Sequence, residues 1–270
     1  MTNSRKSLPY DMGNIGDLLK HGVMAEFIRW WSINHDKEKF VFSDPFCGCP
    51  WESCANLNAI KRLEQLRDNT GEKFEILNAQ PDFDKLIYYG SAYVALHQIR
   101  SCHLLPDVYV SDKNSEKVKM VTESYGNQNI EKIKYDLFYP DNGYSILDSI
   151  NRTNYASDMV LIDPFEDMGK IKQCAHGIAK ASEKTTVVLF ALINDRTQWE
   201  HIWAELPKHR IILACDPLEK TGIKGENKYT VAVVLISHLL VNENANKLRK
   251  KLEDYVAALT NIVGKTITCI

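Results

Sequence analysis

Four acidic residues stand at the ends of short stretches that read as strands: Asp44, Asp112, Asp136 and Asp163. Such a carboxylate can accept hydrogen bonds from hydroxyl or amine donors of a ligand, or take up a proton in a reaction. Asp163 is the richest case, because Pro164 and Phe165 follow at once and give an acid, a rigid proline and an aromatic ring at one spot. Taken alone, that tripeptide also reads as a strand end with proline as punctuation. Asp44 is followed by Pro45-Phe46-Cys47-Gly48-Cys49, where one glycine permits close approach of a ligand to the backbone but does not make a GxGxxG fingerprint. Lys20 and His21 are adjacent in an apolar segment. By themselves they read as a solvated lysine and a packed core histidine.

The elements that must position these residues alternate. Asn14 is a plausible N-cap for a helix whose apolar stripe runs from Ile15 to Trp31, with Asp17 in its first turn. Lys39 to Pro45 reads as the first buried strand. Residues 51–88 are helical in character, with Leu57, Ile60, Leu63 and Leu66 at three-residue steps, and read as an inserted subdomain. Ser91 is a credible N-cap for a helix over Ala92 to Cys102, and backbone N–H groups free at such an end can hold an anion. Strands follow over 107–112, more weakly over 130–135, then over 159–162 and 185–193. Helices are predicted over 115–125, 170–183 and 198–206. Two consecutive strands, 211–215 and 229–237, predict an antiparallel edge pair, and an amphipathic helix over 244–260 closes the pattern. Strand–helix alternation predicts a parallel sheet with helices on both faces, and parallel strands deliver their carboxyl ends to one edge. The fold class is therefore α/β, with the acids gathered along a single edge.

The chain has 270 residues, 33 basic and 35 acidic side chains and a formal charge of −2, so its overall charge does not mark it as a polyanion binder. That length suits a single domain spanning 1–270 with 51–88 inserted. The seven cysteines, with no apolar leader before them, are expected to be reduced thiols of a cytoplasmic protein. Cys47, Cys49 and Cys54 lack a matching second knuckle, which counts against zinc, and no metal is expected. No run of about 18 apolar residues suggests a membrane span. The loop from Asp216 to Lys228 carries Lys220, Lys224 and Lys228, an ordinary solvated loop or one placed to touch a substrate.

Several of these stretches together resemble the bacterial large-subunit ribosomal RNA adenine-N6 methyltransferases of the RlmJ type. Gly13-Asn14-Ile15-Gly16-Asp17-Leu18-Leu19-Lys20-His21 is similar to that family's Gly-Asn-x-x-Asp-x-Leu-Lys-His motif. Ser43 to Gly48, the helical stretch, Tyr89-Gly90-Ser91, Asp112 and Leu161 to Glu166 continue the likeness in the same order. The resemblance implies a Rossmann-like, seven-stranded S-adenosylmethionine methyltransferase sheet with one reversed strand and a helical insertion after the first strand. It implies that His21, Ser91, Asp112 and Asp136 contact S-adenosylmethionine. Lys20, Asp44, Phe46, Gly48, Leu137 and Asp163 are expected in the same cofactor site. Asp163 would be catalytic, together with Pro164 and Phe165. Tyr10 would contact RNA, with Phe165, Lys220 and Lys224 also on the substrate side. The chain departs from the family in reading Asp-Pro-Phe-Glu where the family has Asp-Pro-Pro-Tyr, and in placing Phe46 where the family carries a histidine.

The chemistry implied is in-line methyl transfer to an exocyclic amine. Asp163 and the Pro164 carbonyl would accept the amine's hydrogen bonds, and Phe165 would stack on the flipped base. The expected partner is RNA and the expected state a monomer. Rival readings are a methyltransferase for DNA, protein or a small molecule, and a non-catalytic binding protein on the same fold.

Overall fold

The computed structural model describes residues 13–53, 57–124, 130–132, 143–152, 156–164, 168–193, 196–215 and 230–270. The chain enters on α1 (Ile15–Asn34), which Asn14 caps by accepting from the N–H groups of Gly16 and Asp17 at 2.8 and 3.2 Å. Every residue from Ile15 to Trp31 except Arg29 is buried. The expected amphipathic helix is therefore a central one. It is enclosed by the sheet, by α3 (Glu75–Ala79) and α4 (Ser91–Ser101), and by α9 (Asn244–Val263). A helix buried all round must place its polar side chains against internal partners, because an unmatched buried polar group is costly.

The remaining elements are β1 (Lys39–Asp44), β2 (Trp51–Ser53), α2 (Leu57–Thr70), β3 (Ile87–Tyr89), β4 (Leu105–Val110), α5 (Ser115–Ser124), β5 (Ile130–Lys132) and α6 (Ser145–Arg152). They continue with β6 (Met159–Ile162), α7 (Met168–Ala181), β7 (Thr186–Ile193), α8 (Arg196–Glu205), β8 (Arg210–Cys215), β9 (Thr230–Ile236) and β10 (Ile267–Cys269). Eight strands form one sheet in the order β10-β8-β9-β7-β6-β1-β4-β5. From β5 to β7 the strands are parallel, and β9 runs antiparallel to both β7 and β8. The seven strands without β10 form a Rossmann-like, mostly parallel sheet with one reversed strand.

Three sequence-based expectations are corrected. The two late strands are not the sheet edge: β9 inserts between β7 and β8, and the short β10 pairs antiparallel with β8 outside them. Strand β10 is reached through Gly264, whose φ of +64° ends α9 in a left-handed turn. The stretch 51–88 is not helical throughout, because β2 and β3 bracket α2 and α3 and pair antiparallel, Trp51 opposite Tyr89. Ser91 is the first residue of α4 rather than its cap; Gly90 holds the cap position, and the Ser91 hydroxyl is used elsewhere.

The sheet separates two apolar layers. One, with Phe27, Phe40, Phe42, Met159, Leu161 and Tyr255, lies on the side of α1, α4 and α9. The other, with Ile146, Val160, Ile162, Ile178 and Val187, lies on the side of α6 and α7. All four residues of β6 are buried, as expected of a strand covered on both faces. Each such Leu, Ile or Val side chain contributes roughly 1.5–3 kcal/mol on full burial. Among the described residues no helix is long and apolar enough to cross a membrane.

Candidate functional site

Parallel pairing sets the geometry of the site. Asp44 on β1 lies level with Val110 on β4, so Asp112 stands two residues beyond that level. Ser43 lies level with Val160 on β6, and Asp163 follows the end of that strand. Three of the four acids singled out from sequence therefore meet at the carboxyl edge, where open α/β sheets bind ligands. Asp136 and Leu137 lie outside the described residues, as do Tyr10, Phe165, Lys220 and Lys224.

Helix α1 adds the cation. Lys20 Nζ lies 2.5 Å from Asp163 Oδ2 and 2.9 Å from Asp17 Oδ1, with its side chain only 4% exposed. Lys20 is thus not a solvated face residue, and its ammonium is engaged by two carboxylates. It also lies over the Phe190 ring, 5.3 Å from the centroid. Burial works against its charge, but the carboxylates of Asp163 and Asp17 outweigh it and raise the proton affinity of Lys20. Asp17 is itself held in place, its Oδ2 accepting from the Gly13 N–H at 2.8 Å. Burial raises the Asp163 carboxyl above the ordinary range, against the pull of Lys20. Its Oδ1 is buried with no hydrogen-bond partner.

His21, next on the helix, is 1% exposed. Its Nδ1 lies 3.0 Å from the Tyr88 hydroxyl, the two rings stack at 5.6 Å, and Nε2 is buried without a partner. Burial first, and then the Lys20 charge, lowers its pKa to about 3, so the imidazole is neutral.

Asp44 is wholly buried. One of its oxygens accepts the Ser91 hydroxyl and the other the Phe46 N–H, at 3.1 Å for the latter. Its carboxylate thus ties β1 and the loop after it to the start of α4. Burial pushes its pKa up to about 7. Asp112 accepts from the N–H groups of Gly48 and Asn114, at 3.2 and 2.8 Å. Gly48 has φ +60°, a conformation glycine adopts without strain, and it turns the loop so that this N–H meets Asp112. Phe46 packs edge-on against Tyr144, with ring centroids 5.4 Å apart.

Sequence reasoning brought Lys20, His21, Asp44, Phe46, Gly48, Ser91, Asp112, Asp163 and Pro164 to this edge. It missed Asp17 and Tyr88 as partners within it. The three-residue spacing of Asp17 and Lys20 is a helical ion-pair signal that would have found the first. Nothing local marks Tyr88, because its contact with His21 spans the chain between α1 and β3. Among the described residues no group of His, Cys, Asp and Glu is placed to hold a metal ion. Cys47, Cys49, Cys102, Cys174, Cys215 and Cys269 carry thiols rather than disulfides.

No protein-family model and no curated protein matches the chain. Among solved structures, protein LPL1258 from Legionella pneumophila str. Philadelphia 1 aligns with a TM-score of 0.67 at 13% identity, over 96% of this chain and 97% of that one. A probable spermidine synthase from Corynebacterium glutamicum aligns with a TM-score of 0.44 at 10% identity, over 84% and 70% of the two chains. An rRNA methylase from Streptococcus thermophilus gives a TM-score of 0.40 at 10% identity, over 81% and 94%. At such identities the likeness concerns the fold alone, and the Legionella protein is the one of these three that shares it closely along its length.

Proposed function

We propose that the protein is an S-adenosylmethionine-dependent methyltransferase acting on the N6 amine of an adenine in RNA. The observation that supports this reading best is the state of Asp163. One carboxylate oxygen is fixed by Lys20, while the other is buried and unpartnered at the carboxyl edge of a methyltransferase sheet. An adenine N6–H is a donor of the kind that Oδ1 lacks, and accepting it directs the nitrogen lone pair away from the ring. When bound, the cofactor supplies a methyl group on a positively charged sulfur. As that methyl joins the amine, the nitrogen must shed a proton, and the raised proton affinity of Asp163 suits it to receive one. Asp112, with the Gly48 loop folded onto it, supports a role in accepting ribose hydroxyls. His21 and the start of α4 offer donors for the amino-acid tail. By the resemblance, Phe165 would stack on the base and Tyr10, Lys220 and Lys224 would serve the substrate side; all four lie outside the described residues.

The test separates binding from chemistry. Calorimetry with S-adenosylmethionine should show binding to both the wild type and Asp163→Ala. Transfer of tritiated methyl groups into RNA from a cell extract should be seen with the wild type only. Methyl label appearing in DNA, protein or small molecules instead would overturn the RNA assignment. Retained transfer in Asp163→Ala would overturn the role of Asp163.

A further inference from the structure

We propose that Tyr88 is a positioning residue. Its hydroxyl donates to Nδ1 of His21, fixes the neutral ring with its hydrogen on Nε2, and so presents that nitrogen as an uncharged donor to the carboxylate of the cofactor's amino-acid tail. The inference rests on the methyltransferase reading for the identity of the ligand, and on geometry for the rest. The two side chains are 3% and 1% exposed, so water does not compete for their contact. A phenol is a strong donor and a neutral imidazole nitrogen a strong acceptor, which makes O–H to Nδ1 the better of the two directions across the 3.0 Å contact. With Nδ1 accepting, the hydrogen of a neutral ring must sit on Nε2. Nε2 is the orphan, buried with no hydrogen-bond partner, and an orphan donor calls for an acceptor.

The charges around the ring favour that state and that ligand group. Lys20 disfavours a second positive charge on His21, while Asp17 favours it less strongly. The Lys20 ammonium is already held between Asp17 and Asp163. An anionic group arriving here therefore meets neutral donors. These are Nε2–H and the backbone N–H groups of Ser91 and Ala92 at the start of α4, three and four residues after Tyr88. The stacked Tyr88 ring fixes the imidazole plane as well as its tautomer.

The test uses Tyr88→Phe, which keeps the ring and removes only the hydroxyl. Nitrogen-15 NMR of histidine-labelled protein, with the His21 signals assigned by their loss in His21→Gln, should show the Nε2–H tautomer in the wild type and a mixture in Tyr88→Phe. An Nδ1–H or charged ring in the wild type would overturn the inference. Calorimetry then compares S-adenosylhomocysteine, which carries the tail carboxylate, with 5′-methylthioadenosine, which lacks the tail. Tyr88→Phe should weaken the first by about fivefold to thirtyfold, the range of one hydrogen bond to a charged group, and leave the second unchanged. Equal losses for both ligands, or none for either, would overturn the inference. Failure of the wild type to bind either nucleoside would overturn the methyltransferase reading and the ligand assigned to Nε2–H, while the NMR tautomer would still judge the Tyr88 lock by itself.

Discussion

Replacing Lys20 with methionine should reveal how much the fold depends on its central cation. Methionine keeps an apolar chain beside Phe190 and deletes the charge. It leaves Asp163 and Asp17, whose oxygens lie 2.5 and 2.9 Å from Nζ, as carboxylates without their shared partner. Their side chains are only 14% and 2% exposed, so water replaces the lysine poorly. Removing one member of a buried pair typically costs about 3–5 kcal/mol, because the other is left charged and uncompensated. That is roughly two to three and a half decades in the folding equilibrium. Loss of Lys20 also raises the proton affinity of both carboxyls. A carboxyl raised in the folded state contributes stability at low pH and loses it as pH rises. The variant should therefore be destabilised by the full amount in urea unfolding at pH 8, and by less than half of it at pH 5. Adding Asp163→Asn should recover part of the loss at pH 8. An equal penalty at both pH values, with no recovery from the asparagine, would refute the reasoning and leave Lys20 as packing over Phe190.

Two further outcomes follow from the structure. A methyl group on Gly22 would lie 2.2–2.5 Å from ring carbons and the hydroxyl oxygen of Tyr255, so Gly22→Ala should destabilise by about 1–3 kcal/mol in chemical denaturation. Tyr255→Phe loses only the 2.7 Å bond to the Leu18 carbonyl, about 1 kcal/mol, and a larger effect for it than for Gly22→Ala would contradict this packing. Asp44 and Glu26 are pushed up to about 7 by burial, from ordinary values of 3.8 and 4.5, so their contributions are complete at low pH and lost as pH rises toward 7. His21, lowered from 6.5 to about 3, acts oppositely and loses its contribution as pH falls. Between pH 4.5 and 6.5 the Asp44→Asn variant should differ from the wild type by a slope of about 1.4 kcal/mol per pH unit, read from urea unfolding. Parallel stability curves for the two proteins would count against a raised Asp44.

The sequence by itself determined what is local. Apolar runs ending on Asp44, Asp112 and Asp163 were enough to place strand tips, and strand–helix alternation forced the parallel order that gathers those tips on one edge. The Asn14 cap was readable because a cap acts over three residues. Only the tertiary structure decided what those groups do. Lys20 had the signature of a solvated helix face, yet α1 is enclosed on all sides. The same residue becomes the counter-ion of an aspartate 143 positions away. Tyr88 and His21 meet across 67 residues with no periodicity to announce them. β10 was invisible because three residues carry almost no pattern, and its pairing exists only once β8 is in place. Burial converts charge patterns into obligations: each polar group drawn inside must find a partner, and which partner it finds is fixed by packing rather than by its neighbours in the chain.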